Sequence, residues 1–337
     1  MKILVTGGAG YIGGTVAELL AEQGHEPVIF DNFSHARRDL LPASLPVIEG
    51  ELGDRSVLER IFLTARDQKQ PFDGVMHFAA LIEAGESMQR PEIYFRNNTA
   101  CSLSLLEAML ACGVTRLVFS STAAVYGEPE SVPILEEAPL APTNAYGESK
   151  LLVEKMLAWF HRIHGLRYAS LRYFNVAGAS ECPAGIVRGE AHEPETHLIP
   201  LVLDVALGRR SSIRIYGEDY PTPDGTCIRD YIHVSDLADA HLLALHALDA
   251  APESRSRLIF NLGNGQGFSV REVIESARRV TGHPIQAESH PRRPGDPAAL
   301  VAGSLKAMQQ LGWKPRYTDL DAIVRTAWLW HQKRYRI

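Results

Sequence analysis

The first thirty-one residues constrain the fold more than any other part of the chain. Residues 1–5 are an apolar run that predicts a buried strand, and they lead directly into a turn, residues 7–13, in which every third residue is glycine. An amphipathic helix follows, and a second apolar run at residues 27–30 ends at Asp31. This order of strand, glycine turn, helix, strand and acid is typical of a βαβ unit that binds a dinucleotide.

Each residue type in this unit has a physical role. Gly7, Gly10 and Gly13 allow a tight turn, bring backbone N–H groups close to a pyrophosphate, and let the helix pack closely on the strand. Asp31 is placed to accept hydrogen bonds from both hydroxyl groups of an adenosine ribose, and it would repel a 2′-phosphate. The sequence therefore predicts NAD, rather than NADP, as the cofactor.

Strands and helices continue to alternate along the chain. We predict further strands at residues 47–48, 74–80, 117–120 and 168–174, and helices at residues 91–112 and 146–164. The strand at 74–80 ends on small residues, where a cofactor can pass close to the backbone. Alternation of this kind predicts an α/β fold with a Rossmann-type, doubly wound parallel sheet.

The composition changes after Gly178. Proline, glycine and charged residues dominate residues 179–200, which predicts a loop. The pattern then predicts a helix at 198–207, a strand at 213–217, a helical segment at 230–246 and a strand at 258–262. We therefore predict an NAD-binding domain at residues 1–178 and a smaller C-terminal α/β lobe for the substrate at 179–337, with segments around 230–262 returning to the first domain. Residues 192–197 carry metal-type side chains, but Pro194 interrupts their spacing and no helix would hold them together, so we predict no metal site.

A tyrosine and a lysine form the second informative pattern. Tyr146 and Lys150 stand four residues apart in a predicted helix, so their side chains project from one face. Lowering the pKa of a tyrosine from about 10 to about 7 needs roughly 4 kcal/mol, which an ammonium group and a cationic cofactor can supply together. Thr122, after the apolar run at 116–119, can hold the same substrate oxygen. The pair alone also fits an exposed helix surface, but the dinucleotide unit favours a proton carrier.

Composition excludes several classes of function. The net charge of −6 gives no sign of a nucleic-acid or polybasic membrane surface, and no apolar run is long enough to span a bilayer. The N-terminus begins with a strand instead of a signal-peptide pattern. Cys101, Cys112, Cys182 and Cys227 lack metal-ligand spacing, which predicts free thiols in a reducing cytoplasm. The apolar stripe on the helix at 146–164 fits either core packing or contact with a second subunit.

Taken together, the motifs resemble the extended short-chain dehydrogenase/reductase family and, within it, the nucleotide-sugar 4-epimerases. The resemblance extends along essentially the whole chain, and the later motifs are the ones that indicate an epimerase. The matching segments are residues 6–13, 31–32, 77–80, 85–87, 120–127, 146–150, 172–175, 220–226, 229–233 and 291–296.

The resemblance implies reversible inversion at C4 of a UDP-hexose such as UDP-glucose or UDP-galactose, through a 4-keto sugar and tightly bound NAD. Tyr146 would be the base, Lys150 would orient the nicotinamide ribose, and Thr122 would bind the sugar O4. The other implied cofactor contacts are Gly7, Gly10, Tyr11, Ile12, Gly13, Asp31, Asn32, Ser34, Glu51, Leu52, Phe78, Ala79, Ala80, Asn97, Ser120 and Tyr173. The implied UDP-sugar contacts are Asn175, His197, Leu198, Tyr216, Arg229, Arg293 and Asp296. Members are usually homodimers packed through the helices matching 91–112 and 147–164.

Three positions depart from the family pattern. Thr122 replaces a serine and keeps its hydroxyl group, whereas Glu51 replaces an aspartate near the adenine. Leu300 is intermediate in size at the position that sets the room around the C2 substituent of the sugar, so acceptance of UDP-N-acetylglucosamine stays open. Related alternatives are an epimerase of another UDP-sugar, a dehydratase, which Ala123 and Ala124 disfavour, and a reductase, which the acid at position 31 disfavours. A non-catalytic dinucleotide sensor is the alternative from a different class.

Overall fold

The large sheet is the centre of the molecule. A computed structural model describes residues 1–181, 187–250, 256–293 and 295–335. Seven parallel strands follow the order β13-β6-β5-β4-β1-β2-β3. Their bounds are β1 Lys2–Thr6, β2 Glu26–Asp31, β3 Val47–Glu49, β4 Gly74–His77, β5 Arg116–Thr122, β6 Arg167–Tyr173 and β13 Arg257–Leu262. The predicted doubly wound parallel sheet is confirmed.

Helices cover both faces of this sheet. One face packs against α1 (Tyr11–Glu22), α8 (Val234–Ala250) and α10 (Leu305–Leu311), and the other packs against α2 (Arg55–Asp67), α5 (Cys101–Cys112) and α6 (Ala145–His164). Side chains alternate between the faces along a strand, so Ile3 and Val5 join the first layer while Leu4 joins the second. Burial on both sides explains why the strands are continuously apolar in sequence.

Two of the predicted helices differ in detail from the structure. The helix at 91–112 consists of α4 (Pro91–Tyr94), a π-helical segment (Phe95–Ala100) and α5. The helical interpretation of residues 230–246 is wrong at its start, because Tyr231–His233 forms β12, which pairs in parallel with β7 (Asn175–Ala177). Helix α8 begins only at Val234.

A second, smaller core lies among α7 (Leu198–Ala206), α9 (Val270–Thr281) and α11 (Leu320–Tyr335). The other short elements are α3 (Ala84–Ser87), β10 (Ile213–Tyr216), β11 (Ile228–Arg229), β14 (Phe268–Ser269), β15 (Ala287–His290) and β16 (Ala299–Leu300). The predicted loop at 179–200 is wrong in part, since β8 (Ala179–Glu181) pairs with β9 (Val187–Gly189). Cys182 lies outside the described residues.

The lobe boundary at residue 178 stays a prediction. The seventh strand of the large sheet, β13, comes from beyond that boundary and pairs with β6. Within the described ranges, the chain has no helix with the length and apolar character that crossing a bilayer requires.

Candidate active site

The carboxyl ends of the parallel strands gather the predicted site residues at one edge of the sheet. Strand β2 ends at Asp31, β4 at His77, β5 at Thr122 and β6 at Tyr173. The chain passes from β1 outward to β2 and β3, and then returns to β4 on the other side of β1. A reversal of this kind opens a crevice at the carboxyl ends, which is where open α/β sheets bind their ligands.

The glycine turn is pressed against the end of β4. A methyl group on Gly7, whose φ is +70°, would lie 2.5 Å from the Ala79 backbone nitrogen, and one on Gly13 would lie 2.3 Å from the Gly7 oxygen. The N–H groups of Phe78 and Ala79 both donate to the Thr6 carbonyl, at 2.9 and 3.1 Å. These contacts leave room only for glycine, and they hold the turn at the edge of the crevice.

Asp31 is fixed by the turn and by its own loop. Its Oδ2 accepts a hydrogen bond from the Ala9 N–H at 3.0 Å, and its Oδ1 accepts one from the Phe33 N–H at 2.9 Å. Beside it, Asn32 Nδ2 donates to Glu51 Oε2 at 3.1 Å. Of the other predicted cofactor residues, Ser34 bonds to the Asn32 side chain, Leu52 is buried and Ile12 packs against the core.

The Tyr-Lys helix docks on the turn that follows β5. Asn144 caps α6 by accepting a hydrogen bond from the Gly147 N–H at 2.8 Å. A methyl group on Gly147 would lie 2.6 Å from the Ala124 oxygen, so this glycine allows the helix to approach the turn closely. As a result, the Tyr146 side chain lies near the Thr122 hydroxyl, which lowers the pKa of the tyrosine.

Lys150 lies beneath this pair and is 2% exposed. Its Nζ donates to the Ser120 carbonyl at 2.9 Å and lies 5.0 Å from the centre of the Phe119 ring. Burial lowers the pKa of Lys150 from 10.5 to about 7, because an ammonium group away from water loses its hydration. The lysine can therefore change its charge near neutral pH.

The pKa of Tyr146 differs from the sequence prediction. Burial raises it above the ordinary value of 10, and the hydrogen bond from Thr122 offsets only part of that increase. The lowering expected from Lys150 is not found in the chain itself, since Nζ is directed at the Ser120 carbonyl. A pKa near neutrality would need the positive charge of a bound cofactor. Tyr173, whose hydroxyl bonds to Ser120 Oγ, also has its pKa raised by burial and by Tyr146.

A family model described as the NAD dependent epimerase/dehydratase family matches residues 3–263. That match covers the glycine turn, Asp31, Thr122, Tyr146 and Lys150. The chain belongs to this family.

Individual members of the family are similar along nearly the full chain. A UDP-glucose 4-epimerase of Corynebacterium glutamicum is 52% identical over 97% of this chain and 95% of its own length. A UDP-glucose 4-epimerase of Streptomyces lividans is 53% identical over 98% of this chain and 96% of its own length. Among solved structures, UDP-glucose 4-epimerase from Brucella ovis in complex with NAD has a TM-score of 0.91 at 44% identity and covers 97% of both chains. The enzyme from Bifidobacterium longum in complex with NAD+ and UDP has a TM-score of 0.90 at 37% identity and covers 99% of both.

The family cofactor fits the geometry of the crevice. The glycine turn is a cradle in which any added side chain at Gly7 or Gly13 would collide with backbone. Asp31 is held at the end of β2, at the distance along the chain where dinucleotide-binding folds place the acid for the adenosine ribose. The side chains of Tyr146 and Lys150, from α6, lie at the end of β5, which is three strands from β2 in the sheet order. The reactive end of an extended dinucleotide would reach this position.

The predicted substrate residues form small groups in the second half of the chain. Asn175 starts β7, and its N–H donates to the Asp230 carbonyl at 3.0 Å. Arg229 is hydrogen-bonded to Asp296. Strand β11, which contains Arg229, pairs with β16, which ends at Leu300. That leucine packs against an apolar cluster that includes Ala123, Val125 and Tyr126.

Two further groups contain the remaining predicted substrate residues. The Arg293 guanidinium carbon lies 4.1 Å from the centre of the Tyr216 ring. His197, which precedes Leu198 at the start of α7, lies with its Nδ1 2.6 Å from Glu190 Oε1. The side chains around His197 therefore converge, contrary to the reason given above for excluding a metal.

Sequence reasoning missed the polar residues that support the site from behind. Asn98 Oδ1 accepts from the Leu81 N–H at 2.8 Å, and its Nδ2 donates to Ser149 Oγ at 3.0 Å. Ser87 Oγ accepts from the Tyr146 N–H at 3.1 Å. Asn97, which was predicted to line the cofactor pocket, donates to the Asn98 side chain at 3.0 Å. The sequence signal that could have indicated this role is Asn98 itself, a polar residue at a buried position of the predicted helix.

Proposed function

We propose that the chain interconverts UDP-glucose and UDP-galactose by inverting C4 of the hexose with tightly bound NAD. The observation that carries this proposal is the placing of Tyr146 beside the Thr122 hydroxyl and the buried Lys150, on the same sheet edge as the glycine turn. Relatives about half identical over almost the whole chain are UDP-glucose 4-epimerases.

In the proposed mechanism, Tyr146 accepts the proton of the sugar O4 while Thr122 holds the same oxygen by a hydrogen bond. When bound, NAD supplies a reversible hydride acceptor at C4. The substrate then becomes a planar 4-keto sugar, which can turn and be reduced on its other face. The uncharged form of Lys150 becomes available near neutral pH, so this residue can adjust its charge as the tyrosine gains and loses a proton.

The UDP group must stay anchored while the sugar turns. Arg229 and Arg293 are proposed to bind the diphosphate, with Asn175 and His197 at its flanks, because guanidinium groups match phosphate geometry. Each arginine already has a partner, Asp296 in one case and the Tyr216 ring in the other. Binding energy from the UDP group then offsets the cost of holding the reactive sugar loosely.

The decisive experiment is incubation of the purified protein, without added NAD, with UDP-galactose, UDP-glucose and UDP-N-acetylglucosamine. Appearance of the C4 epimer would support both the activity and retention of the cofactor. Tyr146→Phe should abolish nearly all turnover while leaving bound NAD unchanged. Tyr335→Phe, which removes a hydroxyl near the end of α11, is the matched control and should retain full turnover. Normal turnover by Tyr146→Phe would refute the assignment of the base.

We further infer that two copies of the chain associate through α5 and α6. Large apolar side chains are exposed on both helices: Leu103 and Leu110 on α5, and Trp159 and Ile163, at 58% and 64% exposure, on α6. Exposed apolar residues on two neighbouring helices are a feature of subunit interfaces. Ile163→Glu should halve the molar mass measured by light scattering, and Leu305→Glu, at an exposed position on α10, is the control.

A cytoplasmic location is also proposed. Cys101, Cys112 and Cys227 are free thiols, and burial raises the pKa of each. Free thiols persist in reducing compartments. Fractionation of cells expressing the chain, with detection in the cytoplasmic fraction, is the corresponding test.

A further inference from the structure

Four potential metal ligands converge in the segment between β9 and α7. Glu190, His192, Glu195 and His197 each present one ligand atom, and these atoms all lie within 4.8 Å of one another. Pro194 separates the two pairs in sequence, but the backbone folds the pairs together without a helix. The cluster therefore has two imidazole nitrogens and two carboxylate oxygens facing a common point.

The distances between the ligand atoms are close to those that a small ion requires. His192 Nδ1 lies 2.9 Å and His197 Nδ1 lies 2.6 Å from Glu190 Oε1, and His197 Nδ1 lies 3.2 Å from Glu195 Oε1. A four-coordinate Zn²⁺ has bonds of about 2.0–2.2 Å, which places its ligand atoms about 3.3 Å apart. Small side-chain rotations would bring the four atoms from their present spacing to that one.

The charges of the cluster also call for a cation. The side chains of Glu190 and Glu195 are only 8% and 11% exposed. Glu195 Oε2 is buried and has no hydrogen-bond partner in the described part of the chain, whereas Oε1 accepts from the backbone N–H groups of Thr196 and His197. Two buried carboxylates side by side are unfavourable unless positive charge lies between them.

Protons can supply that positive charge. Burial alone would raise the pKa of Glu190, but His197 and His192 lower it to about 2. The carboxylates in turn raise the pKa of His192 and His197 although burial acts in the opposite direction. A divalent ion bound among the four side chains would supply the same compensation.

Neighbouring groups hold the cluster in place. The Trp330 indole N–H donates to the Glu190 carbonyl at 2.6 Å, and Thr196 Oγ1 donates to Glu83 Oε2 at 2.7 Å. Tyr11, from the glycine turn, lies near the cluster. Burial raises the pKa of Tyr11, and the negative charges of Glu190 and Glu195 raise that pKa further. The cluster thus lies where the second lobe meets the glycine turn.

We propose that Glu190, His192, Glu195 and His197 bind one divalent transition-metal ion with the coordination preferences of Zn²⁺. Two imidazoles with two carboxylates are donors that suit Zn²⁺ better than Ca²⁺ or Mg²⁺, which prefer oxygen ligands alone. The ion would fix the segment that leads into α7 against the glycine turn. His197 is also one of the residues proposed to flank the diphosphate, so the ion would adjoin the proposed UDP site. The metal proposal does not depend on proton transfer by Tyr146.

The test uses the NAD-loaded protein after dialysis against a chelator, titrated with Zn²⁺ by calorimetry and checked by elemental analysis. We expect about one tightly bound ion per chain, because the four ligands complete one tetrahedral shell. Glu190→Gln with His192→Gln should weaken binding by more than the roughly 10- to 100-fold that loss of an outer partner costs. His283→Gln removes an exposed imidazole elsewhere and is the matched control.

A second variant and a second signal keep the result unambiguous. Glu195→Gln alone is the milder change, and circular dichroism establishes whether each variant is folded. Co²⁺ should give the visible absorption of a four-coordinate centre in the parent chain and lose it in Glu195→Gln. Failure to saturate at one ion, or equal binding by the folded variants and the parent, would overturn the proposal in favour of a cluster held by protons.

Discussion

Lys150→Met tests how much stability the chain gives up by burying an ammonium group. The lysine is 2% exposed, and its pKa falls from 10.5 to about 7 on folding. At pH 7 this difference corresponds to roughly 4 kcal/mol of lost stability. Methionine has a similar shape without the charge, but it leaves the Ser120 carbonyl without its donor, which costs about 1–3 kcal/mol. We expect a net stabilisation of about 1–3 kcal/mol at pH 7.

The pH dependence distinguishes this explanation from simple repacking. Because the pKa is lower in the folded state, the unfolded chain binds one more proton between pH 7 and 10.5, and the stability of the parent protein rises with pH in that window. The variant lacks this contribution, so its advantage should shrink as the pH increases. Near pH 10 the cost of burying the charge falls below about 1 kcal/mol, and the lost hydrogen bond should make the variant the less stable of the two.

Urea unfolding of cofactor-free protein at pH 7, 8, 9 and 10, at one protein concentration, measures the difference directly. Lys155→Met, on the exposed face of the same helix, is the control and should change stability little at any pH. A stability difference that does not vary with pH, or a variant that is less stable throughout, would refute the reasoning. Lys150→Met should also lose most of its epimerase turnover.

Three further predictions concern the glycine turn, the proposed catalytic tyrosine and the buried ion pair of Arg188 with Glu18. Gly13→Ala should reduce the amount of bound NAD, measured by the absorbance of the purified protein, because the added methyl group would lie 2.3 Å from the Gly7 backbone oxygen. Gly85→Ala is the control and should leave bound NAD unchanged, because an added methyl group there has nothing within 4 Å. Thr122→Val should lower kcat/KM about 10- to 100-fold at pH 7 and make kcat/KM rise more steeply with pH, because the hydroxyl lowers the pKa of Tyr146. Thr122→Ser keeps the hydroxyl and should stay active. An unchanged pH profile for Thr122→Val would contradict this role. Arg188→Met should lower the free energy of unfolding, measured by urea unfolding, by about 3–5 kcal/mol, because it leaves Glu18 buried without the partner that lies 2.7 Å away. Adding Glu18→Gln should recover part of the loss. Losses that simply add in the double variant would show that the two residues are not coupled.

The first βαβ unit could be predicted from sequence because its determinants are local. Gly7 and Gly13 must be glycine for contacts made within a few residues or with the next strand, and Asp31 closes the same unit. The Tyr146–Lys150 spacing likewise fixes a shared helix face without reference to the rest of the molecule.

What sequence reasoning could not predict depends on contacts between distant segments. Residues 231–233 read as part of a helix, and their pairing with β7 is what makes them a strand. The pKa of Tyr146 is set by burial, which a spacing does not reveal. The convergence of Glu190 with His197 likewise requires the fold of the backbone between them.

The position of β13 has a consequence for protein engineering. This strand covers the outer edge of β6, yet it lies in sequence beyond much of the second half of the chain. A fragment truncated at residue 178 would expose the hydrogen-bonding groups of β6 as a bare edge, and it should tend to self-associate. Exchange of substrate-recognition segments between homologous proteins would therefore need two crossover points, so that each chimera keeps its own edge strand.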